Sequence, residues 1–273
     1  MQEATALEKV FAGNRSAGRI ALSVAMERGT TRRRQVYEDG PLRVRFPHSS
    51  SRALEAMIVN TAGGIAGGDR HDLSVNVGDG AALGVTTAAA EKIYRALGPE
   101  AEIAVKLEVG ADARLSWFPQ ETILFDRARL KRRIEIDLAP SAILFMAEAV
   151  VFGRSAMGEA VEEGAFTDRW RVRRNGELVF AETLRLDGAI ADMLGEPAVA
   201  GGGVAIATVL AVPGDPAAIE RVRAQTFCGE VGVSGWNGLA VARLCAKDGG
   251  SLRRDLAGVI VALGGTLPRL WLN

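Results

Sequence analysis

The side chains with chemical reach in this chain are carboxylates, and four of them stand among apolar or turn-forming neighbours: Asp69, Glu121, Glu148 and Glu159. Such oxygens either carry protons or hold divalent cations more loosely than imidazole and thiolate do. Histidine is nearly absent, with His48 following Pro47 in a Ser-rich loop and His71 just beyond Asp69. Two imidazoles cannot build a tight site of several nitrogen ligands. His71 is therefore a weak metal candidate beside Asp69, and a solvated or hydrogen-bonded ring is the simpler expectation. Cys228 and Cys245 are too far apart for a C-x-x-C pair and read as buried, inert thiols of a reducing compartment.

Glu148 lies in Ile143-Leu-Phe-Met-Ala-Glu-Ala-Val-Val-Phe152. In a strand, Leu144, Met146, Glu148, Val150 and Phe152 share one face. A buried carboxylate without a partner costs several kcal/mol or takes up a proton, so Glu148 needs a cation, water or an arginine such as Arg154. Asp69, Glu121 and Glu159 border turns, where acidic residues cap backbone groups. Asp72 and Glu91 read as surface residues. If Asp69 and Glu121 met in space they could serve as the acid and base of a glycan hydrolase. The chain shows no nucleophile elbow, phosphate loop or zinc motif, which argues against an enzyme.

The elements that must position these groups are mostly strands. Leu42, Val44 and Phe46 alternate with arginines; Ile103 to Val109 and Ile134 to Leu138 alternate with charged residues. Turn signals separate them at Gly78-Asp-Gly80, Gly110-Ala-Asp112, Ala139-Pro140 and Asn175-Gly176, the last a hairpin cue. Val75-x-Val77-Gly-x-x-Ala-x-Leu83 recurs as Leu107-x-Val109-Gly-x-x-Ala-x-Leu115, and more loosely at Ile136-x-Leu138 with Ala142 and Leu144. A return about every thirty residues fits stacked coils, and equally a meander of hairpins in a sandwich. Helical patterns appear late, over 215–227 behind an Asp-Pro start and over 251–263, with a strand at 238–246 between them. Residues 204–263 could form a small α+β subdomain, but no linker marks it, and one domain over 1–273 is the expectation.

The chain has 273 residues, 48% of them hydrophobic, enough for a sizeable core. Its 33 basic and 33 acidic residues balance, so no net field draws nucleic acid. The longest apolar stretch, 142–152, is too short to span a bilayer. The N-terminus lacks a signal-peptide pattern, and a cytoplasmic location is expected. Arg32, Arg33 and Arg34 form the densest basic cluster, a possible patch for an acidic partner or a solvated strand face. Trp117, Phe118, Trp236 and Trp271 read chiefly as core residues; Trp271 either caps the core or meets a partner.

The run Gly63-Gly-Ile-Ala-Gly-Gly-Asp69 is neither a dinucleotide fingerprint nor a phosphate loop, because it ends in Asp and leads into a strand. Together with Thr86-Thr-Ala-Ala-Ala-Glu-Lys-Ile-Tyr-Arg95, Trp117-Phe-Pro-Gln-Glu121, Gly153-Arg-Ser-Ala-Met-Gly-Glu159 and Leu267-Pro-Arg-Leu-Trp271, it resembles the urease accessory protein family UreD, also called UreH. This chain has Asn60-Thr-Ala-Gly-Gly64 where the family usually has Asn-Pro-Gly-Gly-Gly, and Ala89 where a Gln is usual. The resemblance implies a mainly β fold of layered, coiled strands, solenoid-like or sandwich-like, with two helices near the C-terminus. It implies a non-enzymatic role in urease maturation, with apo-urease, UreF and, through UreF, the UreG GTPase as partners, and no nucleic acid or membrane. Ni(II) would be a transient cargo rather than a resident cofactor, with Asp69, Glu121, Glu148 and Glu159 as transit ligands. A narrower version makes the chain only a docking scaffold for apo-urease.

Overall fold

The computed structural model describes residues 15–47, 53–96, 98–154 and 157–272. His48 and part of the 153–159 segment lie outside them. The described residues begin with a hairpin, β1 (Ala17–Glu27) and β2 (Thr30–Asp39), and continue through β3 (Leu42–Arg45) and β4 (Leu54–Asn60). Three coils follow: β5 (Arg70–Val77), β6 (Ala82–Thr87) and β7 (Glu91–Ile93); β8 (Ala101–Val109), β9 (Arg114–Trp117) and β10 (Thr122–Leu124); then β11 (Arg129–Leu138) and β12 (Ile143–Phe152). A long hairpin of β13 (Glu163–Arg174) and β14 (Glu177–Ala189) leads to the short helix α1 (Ile190–Gly195). The C-terminal part contains β15 (Ala205–Val212), α2 (Pro216–Arg223), β16 (Glu230–Trp236), β17 (Leu239–Ala246) and α3 (Gly249–Ala262), before a 3-10 turn at Arg269–Trp271.

Each coil places its first strand in one sheet and its later strands in the facing sheet. The seven-stranded sheet runs β14-β13-β11-β8-β5-β1-β2, and the ten-stranded sheet runs β16-β17-β15-β12-β9-β6-β4-β3 with β10 beside β12 and β7 beside β10. The faint repeat has a spatial meaning. Val75 and Ile136 both stand opposite Leu107 in parallel register, and Leu83 and Leu144 both stand opposite Leu115. Equivalent residues thus stack coil on coil, and the turns stack with them. Asp79 Oδ1 accepts from the Ala111 amide at 2.8 Å, and Ser141 Oγ accepts from the Asp112 amide at 2.9 Å. The solenoid-like reading is the one that holds.

The inward faces bury Val75, Leu107, Leu115, Ile136 and Leu144 between the sheets. Each such side chain contributes on the order of 2 kcal/mol on leaving water. The opposite face of β12, with Phe145, Ala147, Ala149 and Val151, packs with β15, β17, α2 and α3 in a second cluster. At Asn175-Gly176 the backbone has φ of 53° and 80°, the positive pair that a tight hairpin requires.

The strands of 204–263 extend the ten-stranded sheet through the pairing of β12 with β15. Several expectations need correction. The first late helix ends at Arg223, not 227, and β16 went unforeseen because its glycines and exposed residues mask the alternation. The six-residue α1 was also unforeseen. Cys228 is exposed and Cys245 only partly buried, so neither is a core thiol. Among the described residues no helix is long and apolar enough to cross a membrane.

Candidate functional site

The long strand β12 is continuous, but its neighbours in the ten-stranded sheet are not. Residues 143–146 pair with β9 and residues 150–152 pair with β10, so Ala147 to Ala149 bond only to β15 on the other side. The break is made by the loops 88–90 and 118–121, which interrupt the second leg of two successive coils. Glu148 faces inward at this level, with Met146 towards one apolar cluster and Val150 towards another. The face predicted for the strand is the one observed.

Opposite Glu148, the seven-stranded sheet presents Arg132 from β11 and Asp168 from β13, which are register partners. Arg132 grips Asp168 with a fork, Nε to Oδ1 at 3.0 Å and Nη2 to Oδ2 at 2.6 Å, and its Nη1 donates to Glu148 Oε2. Trp117 Nε1 donates to the other oxygen of Glu148 at 2.8 Å. Thr122 Oγ1 completes the group at 3.5 Å from Arg132 Nη1. All of these side chains are buried. The partner of Glu148 is therefore Arg132 and not Arg154. Sequence reasoning missed Arg132 and Asp168, although each interrupts an inward row of apolar residues, Leu130-x-Arg132-x-Ile134 and Phe166-x-Asp168-x-Trp170.

Burial pushes the Glu148 carboxyl above its ordinary range, against the pull of Arg132 and helped by the charge of Asp168. Burial alone would ease the proton from Arg132, but Asp168 and Glu148 outweigh it and hold the guanidinium charged. A buried ion cluster of this kind contributes little net stability compared with apolar residues of the same shape.

The other candidates are also engaged. Asp69 is buried and accepts from the amides of Ser16 and Ala66, each at 2.8 Å, which shapes the glycine loop. Gly64 in that loop has φ of 152°, and a Cβ there would lie 2.4 Å from the Tyr94 ring. Glu121 meets Arg253 of α3 at 3.2 Å, and Glu159 meets Arg154 at 2.6 Å. His71 is neither solvated nor hydrogen-bonded at Nε2, and burial lowers its pKa despite Asp69 and Asp72, so the ring is neutral near pH 7. No group of three or more His, Cys, Asp or Glu side chains among the described residues is placed to hold a metal. The four proposed transit ligands do not form one site.

Glu91 corrects another expectation. It is not a surface residue but a half-buried one, hydrogen-bonded by Asn60 Nδ2 at 3.0 Å and standing opposite Thr122 in register. Burial raises its pKa to about 7, with the Asn60 hydrogen bond opposing. A raised carboxyl stabilises the fold fully below the ordinary value of 4.5, and the contribution is lost as pH climbs towards about 7. Unfolding followed between pH 4.5 and 7 should show this loss in the wild type and a flatter profile in Glu91→Gln. Identical profiles would remove Glu91 from the titrating set.

The five sequence segments singled out above gather around the break. Tyr94 Oη donates to the Gly63 carbonyl, the Glu91 amide to the Glu121 carbonyl, and the Gly153 amide to the Leu124 carbonyl. Arg253 donates to Gln120 Oε1 at 2.6 Å and stacks over the Trp271 ring, which also packs against Phe118. Trp271 is buried within this chain and caps the core. Arg32, Arg33 and Arg34 lie exposed on the edge strand β2, where Arg34 pairs with Glu27 and Arg33 stacks over Phe46.

A coiled two-sheet β body crossed by one charged layer, with that layer at a break in the sheet, is the architecture these observations define. The family described as UreD urease accessory protein matches residues 16–271. Similar proteins include the urease accessory proteins UreD of Rhodopseudomonas palustris (strain BisA53), 56% identical over 97% of this chain and 93% of its own length, and of Bradyrhizobium diazoefficiens, 54% identical over 99% of both. The chain belongs to the UreD family, whose members serve urease maturation and are not catalytic enzymes.

Proposed function

We propose that this chain docks apo-urease and the accessory protein UreF, and helps pass Ni(II), released by the UreG GTPase, towards the urease site through its β body. The observation that supports the reading is the break in the ten-stranded sheet. There, the Glu91 amide donates to the Glu121 carbonyl, Thr122 stands opposite Glu91 in register, and Arg132 links Thr122 to Glu148 and Asp168. Carboxylate and hydroxyl oxygens release Ni(II) more readily than imidazole or thiolate would, which suits cargo over a resident cofactor. In the free chain Arg253 pairs with Glu121 and Arg132 pairs with Glu148 and Asp168, so transit requires both guanidiniums to yield on docking.

One observation favours the narrower scaffold reading. Asp69, Glu121, Glu148 and Glu159 each already have a protein partner, which leaves none of them open to a metal in this state. In that reading the chain only docks and deforms apo-urease. Co-expression with urease, UreF and UreG, followed by pull-down, tests what both readings share. A stable complex containing apo-urease and UreF is expected, and its absence would overturn both.

A further inference from the structure

The structure assigns a positioning role to Arg132: its guanidinium occupies the place between Glu148 and Asp168 that a divalent ion would take, and keeps the pair closed until it withdraws. The inference rests on the transit reading above. Glu148 and Asp168 come from opposite sheets and meet only through this side chain, which reaches Asp168 with two nitrogens and Glu148 with a third. Only a planar fork with several donors bridges two carboxylates in this way.

Charge counting gives the layer its preference. With both carboxylates ionised, one guanidinium leaves one net negative charge in a buried layer, whereas a divalent ion in the same place would leave none. Ile134, Met146 and Trp170 lie on one side of the layer and Leu130, Val150 and Phe166 on the other, all buried. Little solvent reaches the layer, since Glu148 is 6% and Asp168 7% exposed. Trp117 cannot ligate a metal, but its N–H fixes one oxygen of Glu148 and so orients the other inward. Thr122 supplies a neutral oxygen at the same level. Guanidinium and metal ion thus compete for one position, and docking would choose between them by moving Arg132.

The test uses the full isolated chain with Co(II) as a spectroscopic probe, so it needs neither urease nor UreF and fails separately from the docking proposal. Wild type, Arg132→Met, Arg132→Lys and the double variant Arg132→Met with Glu148→Gln are titrated and followed by visible absorption and by thermal unfolding. Arg132→Met is expected to bind Co(II) at least about tenfold more tightly than wild type, with d–d bands and a metal-dependent rise in Tm. Arg132→Lys should fall between the two, because an ammonium cannot bridge both carboxylates. The double variant should lose the gain. If Arg132→Met folds only when Co(II) is present, the inference stands. If Arg132→Met folds and binds no better than wild type, or folds neither with nor without the metal, Arg132 is a structural clamp and the inference falls.

Discussion

Arg132→Met, without added metal, is expected to cost about 3–5 kcal/mol of folding stability, the largest loss of any single substitution considered. Methionine fills much of the volume and leaves the neighbouring apolar layers intact. What it removes is the charge that matches Glu148 and Asp168, two buried carboxylates. Those groups must then take up protons or remain unpaired, and either outcome favours the unfolded chain near pH 7. Tm should fall by roughly 10 °C for a domain of this size. Glu148→Gln offers the contrast, since Arg132 keeps its two-pronged contact with Asp168 and the layer becomes neutral. Its cost should be about 1 kcal/mol. Thermal or urea unfolding monitored by circular dichroism compares the two. Equal losses would mean that the layer is held by packing rather than by charge.

Asp69→Ala should be the next most damaging, at about 3 kcal/mol. Its two carboxylate oxygens divide the work, Oδ1 taking the Ser16 amide and Oδ2 taking the Ala66 amide, each at 2.8 Å. Alanine leaves both donors without a partner beneath the glycine loop. Asp69→Asn keeps one acceptor and should lose about half as much. The same unfolding measurement decides this. A loss equal to that of alanine would show that the charge, not the hydrogen-bond count, holds the loop.

Much of the body was legible from residues alone. The recurrence of Val75, Leu107 and Ile136 at matching offsets is visible in a string of letters, because stacked coils bury equivalent positions and leave a repeat. The inward face of β12 followed from period two. The candidate layer was legible only on one side. Glu148 stood out because nine apolar neighbours flank it, whereas Arg132 and Asp168 lie in strands rich in other charges, where an inward arginine looks like an outward one. Its pairing with Glu148 joins two sheets across the core, a contact that local periodicity does not encode. Glu91 was misread for a similar reason: burial came from the break between β6 and β7 and from Asn60, not from its own neighbours. For Trp271 the residues alone left core cap and partner contact open, because Arg253 and Phe118, which enclose it, come from other segments.

The most direct measurement is nickel per urease active site after co-expression of urease, UreF and UreG with either the wild-type chain or Glu148→Gln. Complexes should assemble equally, since Glu148 is buried and cannot touch a partner. Nickel content and urease activity should nevertheless drop several-fold, because one of the two carboxylates at the charged layer can no longer receive the ion. Full nickel loading in complexes carrying Glu148→Gln would contradict passage through this layer and leave the chain as a docking scaffold.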